Sequence, residues 1–220
     1  MKSQKWLNRI MGYTAGVLLG VVAFDLIPEI ARITDQKHLR IDRSMIALVV
    51  GFLFFHILEK TILIHHAHES EYESHKHPHV GIASALALSG HSFLDGVGIG
   101  LGFQVNNTVG IAVAIAVISH DFSDGLNTVI LMLHHQNTRR RAFKLLLVDA
   151  VAPVLGAAST LLFTLPDSGL ALYLGFFAGF LLYIGASDIL PQAHSKGSSK
   201  VTIGLTVLGV VFMFIVTRFA

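Results

Sequence analysis

Seven apolar runs follow one another along the chain, and they restrict the fold more than any other feature. A helix that spans the hydrocarbon core of a bilayer needs about 20 mostly apolar residues, which these runs supply. The polar connectors between them are too short to hold a separate soluble domain. The sequence therefore predicts an all-α, polytopic helical membrane protein, with residues 1–220 as a single transmembrane domain. The predicted spans are 11–31, 44–64, 80–103, 107–133, 143–165, 169–191 and 201–218.

The composition agrees with a membrane protein and excludes several other classes. Hydrophobic residues make up 53% of the chain and charged residues only 14%, whereas a soluble domain has roughly 25% charged residues. The formal net charge of +2 gives no support to nucleic-acid binding. Because the chain has no cysteine, disulfides, thiolate metal sites and thiol catalysis are excluded. Any metal site must use nitrogen and oxygen ligands.

The distribution of lysine and arginine predicts the orientation. With a cytoplasmic N-terminus, 11 of the 16 basic residues fall in cytoplasmic segments and 5 outside. Basic residues favour the cytoplasmic side, so we expect an integral protein of the plasma (inner) membrane with its N-terminus in the cytoplasm. The basic run 139–141 then lies where it can contact anionic lipid.

Two copies of the pattern His-x-Phe-x-Asp-Gly, at 91–96 and 120–125, stand inside the third and fourth predicted spans. The His and the Asp of each copy are four residues apart, so they share one helix face. A short turn joins the two spans, which makes them antiparallel neighbours whose motifs meet near the bilayer midplane. We predict a metal site there. Its candidate ligands are His91, Ser92, Asp95, His120, Asp121 and Asp124.

The chemistry of these ligands favours a divalent cation. Imidazole, carboxylate and hydroxyl groups suit zinc, manganese or ferrous iron, and charged groups at the bilayer centre usually mark function. Three carboxylates carry more negative charge than one divalent ion needs for neutrality. The site then holds either two ions or one ion together with protons, and the sequence leaves both alternatives open.

Asp149 has two equally weighted interpretations. It caps its helix near the surface, or it belongs to the polar pathway. The predicted pathway residues are Asp25, Asn127, Asp149 and Asp188.

Two further patterns concern helix packing. Asp, two aliphatic residues and Pro recur at 25–28 and 188–191, near the ends of the first and sixth spans. Because these spans cross in opposite directions, the match suggests an inverted-topology repeat, which is common in transporters; the alternative is that each motif only ends its helix. The glycines at 96, 98, 100 and 102 are expected to bring the two motif helices close together.

The tract 65–79 holds six histidines and three glutamates in fifteen residues. Such a polar tract buries no core and is predicted to be a disordered cytoplasmic loop. His-rich tracts commonly bind metal, so we predict metal capture here, with a solvated linker as the alternative. The histidines concerned are His65, His66, His68, His75, His77 and His79.

These motifs together resemble the ZIP family of zinc and iron transporters. The family's fourth helix carries His-Asn-x-x-Glu-Gly, which residues 91–96 resemble, and its fifth carries His/Gln-Asp/Glu-x-Pro-Glu/His, which residues 120–124 resemble. Its second and seventh helices have motifs similar to 25–29 and 188–191, and its loop between helices three and four is often His-rich. The resemblance implies that the transport site is lined by His91, Asp95, His120, Asp121 and Asp124, with Ser92 in the place of the family's Asn.

The sequence departs from the family pattern at three points. The family usually has eight spans and seven are predicted here, so its first helix has no counterpart; a homodimer partner or a rearrangement would then complete the repeat. Aspartate replaces glutamate at Asp95 and Asp124, which shortens the reach of each ligand. A glutamate that some members place before the proline of the sixth helix is Ala152 here, and Asp149, one turn earlier, is its candidate substitute.

The expected function is transport of a divalent metal cation, zinc first and iron or manganese as alternatives, into the cytoplasm. No organic cofactor and no enzymatic activity are expected. The expected partners are the metal ion, membrane lipid and a second copy of the chain. Two other hypotheses are an intramembrane metal-dependent hydrolase, although the chain has no His-Glu-x-x-His motif, and a non-transporting metal sensor.

Overall fold

The computed structural model describes residues 2–71, 78–195 and 199–219, and all regular elements within these ranges are helical, as predicted. Two π-helical turns, Val22–Leu26 and Tyr183–Ile189, interrupt the first and sixth spans, and a 3₁₀ turn, Thr160–Leu162, ends the fifth. The α-helices are α1 (Lys2–Val21), α2 (Ile27–Gln36), α3 (Ile41–Glu71), α4 (Pro78–Val105), α5 (Asn107–His134), α6 (Arg139–Ser159), α7 (Asp167–Leu182), α8 (Leu190–His194) and α9 (Lys200–Phe219).

Seven helical stretches of the described residues are long and apolar enough to cross a membrane, which confirms the predicted number. Large apolar side chains such as Ile57 and Val154 are exposed on them, as expected where lipid covers a helix. The chain is an integral membrane protein. The spans are Lys5–Gln36, Ile41–Leu58, Pro78–Val105, Asn107–His134, Arg139–Leu162, Asp167–His194 and Lys200–Arg218.

The fifth span lies closer to the N-terminus than the predicted 143–165. It begins at Arg139 because Thr138 caps the helix, its hydroxyl accepting a hydrogen bond from the backbone N–H of Arg141 at 3.3 Å. It ends at the 3₁₀ turn because Phe163 is extended, with φ −151° and ψ 158°. Pro166 follows shortly after and disfavours helical geometry in the residue before it.

The two Asp-x-x-Pro motifs have the same local structure. Asp25 and Asp188 each lie in a π-helical turn, and Pro28 and Pro191 each lie in the first turn of the following short helix. Proline has no N–H for the regular helical bond, and the π-helical turn just before each proline accommodates the missing bond. The first span continues to Gln36, well past Pro28, which contradicts the alternative that this motif ends its helix, whereas the sixth span ends at His194, three residues after Pro191. The shared π turn supports the correspondence of the two spans, and the inverted repeat itself stays a prediction.

The described chain divides into two compact units. Unit 1 comprises Met1–Glu59, Gly102–Ser119 and Leu165–Ala220, and unit 2 comprises Lys60–Leu101 and His120–Thr164. In unit 1, α1 and α9 pack with their backbones close, since a Cβ atom at Gly16 would lie 2.0 Å from the carbonyl oxygen of Thr206. Both His-x-Phe-x-Asp-Gly motifs fall in unit 2.

Unit 2 is built on a close contact between α4 and α6. A Cβ atom at Gly96 would lie 1.9 Å from the carbonyl oxygen of Pro153, and one at Gly156 would lie 2.0 Å from that of Phe93. The prediction that the α4 glycines bring the two motif helices together was therefore wrong for Gly96 and Gly100, which face α6. One residue turns a helix by about 100°, so Gly96 points away from the face that carries the motif's carboxylate.

The second span continues beyond its apolar run. The helix α3 extends to Glu71, into the tract for which a loop is predicted. Residues 72–77, with His75 and His77, lie outside the described residues, and α4 begins at Pro78. Metal capture by this tract stays a prediction.

Candidate metal centre

The His and Asp side chains of both motifs converge within unit 2. Ligand atoms of His91, Asp95, His120 and Asp124 all lie within 4.8 Å of one another. In the part of the chain that the structure describes, this is the one such group of three or more His, Asp or Glu residues. We call these four residues the central cluster. The i, i+4 spacing within each motif places two residues of the central cluster on one face of α4 and two on one face of α5.

The central cluster lies halfway along both helices. His91 is thirteen residues after the first residue of α4 and fourteen before its last. His120 stands in the same position within α5. At 1.5 Å per residue, each histidine is about 20 Å from either end of its helix. The cluster therefore lies near the middle of the length that crosses a bilayer.

The two imidazoles face two carboxylate oxygens at metal-ligand spacing. Nε2 of His91 is 3.3 Å from Oδ2 of Asp95 and 3.8 Å from Oδ2 of Asp124. Nε2 of His120 is 3.4 Å and 3.8 Å from the same two oxygens. Tetrahedral zinc, with bonds of about 2.0–2.2 Å, separates its ligand atoms by about 3.3–3.6 Å. The two distances to Asp95 fall in this range and the two to Asp124 are slightly longer, so the cluster offers two nitrogens and two oxygens close enough together to share one cation.

Burial leaves polar atoms of the central cluster in need of a partner. The side chains of Asp95 and His120 are fully buried, while those of His91 and Asp124 are 19% and 14% exposed. Oδ1 of Asp95 and Oδ2 of Asp124 are buried and make no hydrogen bond. Since buried polar atoms are nearly always paired, and paired carboxylates repel each other in a low-dielectric interior, a bound cation would stabilise this arrangement.

Asp121 adds a third carboxylate beside the central cluster. It is half-buried on α5 and interacts electrostatically with His120, Asp95 and Asp124, although it is outside the group of four. Its Oδ1 atom is buried and makes no hydrogen bond. The site thus gathers three carboxyl groups, one more than the two that would neutralise a single divalent ion.

Asp149 connects α6 to both motif helices. It is buried near the middle of α6, where Oδ1 accepts a hydrogen bond from Ser92 at 2.9 Å and Oδ2 accepts one from Thr128 at 3.2 Å. These contacts exclude the alternative that Asp149 caps the helix near the surface. Ser92 also donates to the carbonyl oxygen of Leu88 at 3.2 Å. Thr128 was missed by the sequence reasoning because a single threonine in an apolar helix carries no signal.

Replacing Thr128 with valine is expected to lower the free energy of unfolding by about 1–3 kcal/mol, because a buried carboxyl group loses one of its two hydroxyl donors. The melting temperature of the detergent-solubilised protein measures this. The matched control is Thr217→Val, which removes a hydroxyl that donates to the backbone carbonyl of Phe214. Equal melting temperatures for the two variants would show that the Asp149 contact contributes nothing.

The other predicted pathway residues lie in different places. Asn127 is half-buried on α5 in unit 2. Asp25 and Asp188 belong to unit 1. Asp25 is buried with an Oδ2 atom that makes no hydrogen bond, whereas Asp188 is half-buried and accepts a hydrogen bond from Gln192 at 2.7 Å. The roles of all three stay predictions.

The buried imidazoles and carboxylates at mid-length of two membrane-spanning helices have the donor atoms to hold a metal ion. A protein-family model described as ZIP zinc transporter matches residues 65–217, which is more than half of the chain. The chain belongs to the ZIP zinc transporter family, and the predicted resemblance is confirmed. Members of this family are transporters and not enzymes, which argues against the hydrolase hypothesis. A search of curated proteins found no match.

Proposed function

We propose that this protein carries a divalent metal cation, zinc in the first place, across the membrane into the cytoplasm through the central cluster. Membership of the family implies a divalent metal substrate. The observation that carries the proposal is the set of four ligand atoms at mid-length of α4 and α5. Buried ionisable side chains inside transmembrane helices are costly, and where they occur they usually mark an ion pathway.

The ligand roles follow from the distances. His91 and His120 bind the cation through Nε2, and Asp95 and Asp124 bind it through Oδ2. Two neutral imidazoles and two carboxylates cancel the charge of a divalent ion, which offsets the cost of removing its hydration shell. Asp121 offers a neighbouring carboxylate to which the ion can pass when it leaves the four ligands.

The remaining polar residues act around this centre. Asp149 holds Ser92 and Thr128 in fixed positions on the two motif helices. In this proposal Asn127 belongs to the ion's polar path in unit 2, Asp25 and Asp188 keep the pathway role predicted from the sequence, and the His-rich tract captures the ion at the cytoplasmic end. These residues require no organic cofactor.

The donor set favours zinc over manganese. Imidazole and carboxylate ligands in a tetrahedral arrangement suit zinc, whereas manganese prefers an octahedral shell of oxygen ligands. Ferrous iron accepts imidazole and carboxylate together and is the closer competitor. The excess of basic residues on one side supports a cytoplasmic N-terminus.

Zinc influx into liposomes that contain the purified protein and an enclosed zinc indicator tests the proposal. We expect influx for the wild type, weaker responses to iron and manganese, and influx at the level of empty liposomes for His91→Ala and Asp124→Ala. The control variant is Asp35→Ala, which removes an exposed carboxylate from α2. Wild-type influx in both cluster variants would overturn the proposal, and zinc binding without influx in the wild type would favour the sensor hypothesis.

A further inference from the structure

The helix α6 begins with a group of basic side chains that have no acidic partner. Arg139, Arg140 and Arg141 form its first turn, and Lys144 follows on the next turn. All four side chains are exposed, and in the part of the chain that the structure describes none of them makes an ion pair. We call these four residues the basic patch. Because their charges repel one another without a counter-ion, the patch attracts an anion.

The basic patch stands at the beginning of a helix face that is otherwise apolar and exposed. Ala142, Asp149 and Gly156 mark the buried face of α6. At about 100° per residue, Arg140 and Lys144 lie on the opposite face. The large exposed apolar side chains that continue this opposite face are Phe143, Leu147, Val148, Val151, Val154 and Leu155. On a membrane-spanning helix such a face contacts lipid, so the basic patch lies where acyl chains give way to headgroups.

The backbone at the start of α6 also favours an anion and is fixed in place. The first N–H groups of an α-helix have no partner within the helix, and the helix dipole favours negative charge beside them. Thr138 caps this end of the helix by accepting a hydrogen bond from the N–H of Arg141 at 3.3 Å. Asn137, the residue before the cap, is buried and donates to the carbonyl oxygen of Pro78 at 2.9 Å, which joins this end of α6 to α4 within unit 2. The backbone of the patch is therefore formed before a ligand binds, which lowers the cost of binding.

We propose that the basic patch binds the phosphate group of an anionic membrane lipid, whose acyl chains lie along the apolar face of α6. An arginine side chain donates two parallel hydrogen bonds to phosphate oxygens, and a lysine adds a compact positive charge. A lipid uses both the charges and the apolar face, whereas a soluble phosphate ion uses the charges alone. To the run 139–141 the structure adds Lys144 and this apolar face. The inference goes beyond the proposed transport function and does not depend on it.

The number of charges sets the expected strength of this interaction. One lysine or arginine near an anionic membrane surface strengthens the association by about fivefold. Exposed charges are screened by salt, so the effect of each residue is smaller at physiological ionic strength than at low salt. Removal of the three arginines is therefore expected to weaken lipid binding by at least about tenfold.

Native mass spectrometry of the full-length protein in detergent, titrated with phosphatidylglycerol or with zwitterionic phosphatidylcholine, tests this inference. We expect the wild type to bind phosphatidylglycerol more tightly than phosphatidylcholine. The variant Arg139→Gln/Arg140→Gln/Arg141→Gln should bind phosphatidylglycerol at least about tenfold more weakly, and Lys144→Gln alone by up to about fivefold. Both variants should melt at the wild-type temperature, because the replaced side chains are exposed and make no ion pair. If the triple variant does not fold, Lys144→Gln decides the test.

The matched control removes the same charge from three scattered, exposed basic residues of unit 1, as Lys5→Gln/Arg43→Gln/Lys200→Gln. The inference is overturned when this control loses as much lipid affinity as the arginine variant, or when the arginine variant binds phosphatidylglycerol like the wild type. Glycerol 3-phosphate carries the phosphate group without acyl chains, and its displacement of the lipid at equal concentration would identify the patch as a site for soluble phosphate instead. Because the readout is lipid binding, a failure of zinc influx in liposomes would leave this test unaffected.

Discussion

Zinc binding to the central cluster is expected to weaken by more than about 100-fold when Asp95 is replaced by asparagine, and zinc influx is expected to fall to background. Loss of a residue that only supports a metal ligand costs about 10- to 100-fold, and Asp95 is proposed as a ligand itself. Its Oδ2 atom lies 3.3 Å from Nε2 of His91 and 3.4 Å from Nε2 of His120, so it is shared by both histidines.

The Asp95→Asn substitution separates charge from packing. Asparagine preserves the size of a fully buried side chain, so the loss of binding reports the missing negative charge. Calorimetric zinc titration and liposome influx are the two measurements. Asp35→Asn, at an exposed position on α2, is the control and should behave as wild type. Undiminished zinc affinity in Asp95→Asn would mean that the cation binds elsewhere.

Gly96→Ala is expected to cause a large loss of stability in unit 2. The new Cβ atom would lie 1.9 Å from the carbonyl oxygen of Pro153, which is a backbone atom and cannot rotate away. The helices α4 and α6 must separate, and overpacking of this kind costs about 1–3 kcal/mol or more. Separation would also strain the hydrogen bonds that join α6, through Asp149, to Ser92 and Thr128.

Gly90→Ala is the matched control for Gly96→Ala. Gly90 lies on the same helix, and a Cβ atom there would meet nothing within 4 Å. Alanine favours the helix over glycine by about 1 kcal/mol, so this variant should equal or exceed the wild type in stability. Thermal unfolding in detergent, monitored by the loss of monodisperse protein in size exclusion, compares the two. A common melting temperature would refute the close contact between α4 and α6.

The spans and the central cluster could be predicted from the sequence because the bilayer thickness and the periodicity of the α-helix determine them. A bilayer requires about 20 apolar residues per helix, so the spans are visible as apolar runs. Within them the i, i+4 spacing of His91 with Asp95, and of His120 with Asp124, fixes which side chains share a face. The short turn between the two helices makes them antiparallel, which brings the two pairs to the same depth.

Other features depend on tertiary packing and were not visible in the sequence. The π-helical turns before Pro28 and Pro191 accommodate the prolines within the helices. The sequence pattern alone does not distinguish a helix that contains such a proline from one that ends at it. Whether Gly96 of α4 faces α5 or α6 depends on how these three helices pack against one another. The partners of Asp149 come from two other helices, and residues distant in sequence give no periodic signal.

The zinc K-edge X-ray absorption spectrum of the wild-type protein, loaded with less than one equivalent of zinc, tests the central claim most directly. We predict four nitrogen or oxygen ligands at about 2.0–2.1 Å, with the multiple-scattering pattern of two imidazoles from His91 and His120. The Asp95→Asn protein should lose this spectrum under the same conditions. A six-coordinate shell of oxygens in the wild type, or an unchanged spectrum in Asp95→Asn, would contradict a transport site built from these four residues.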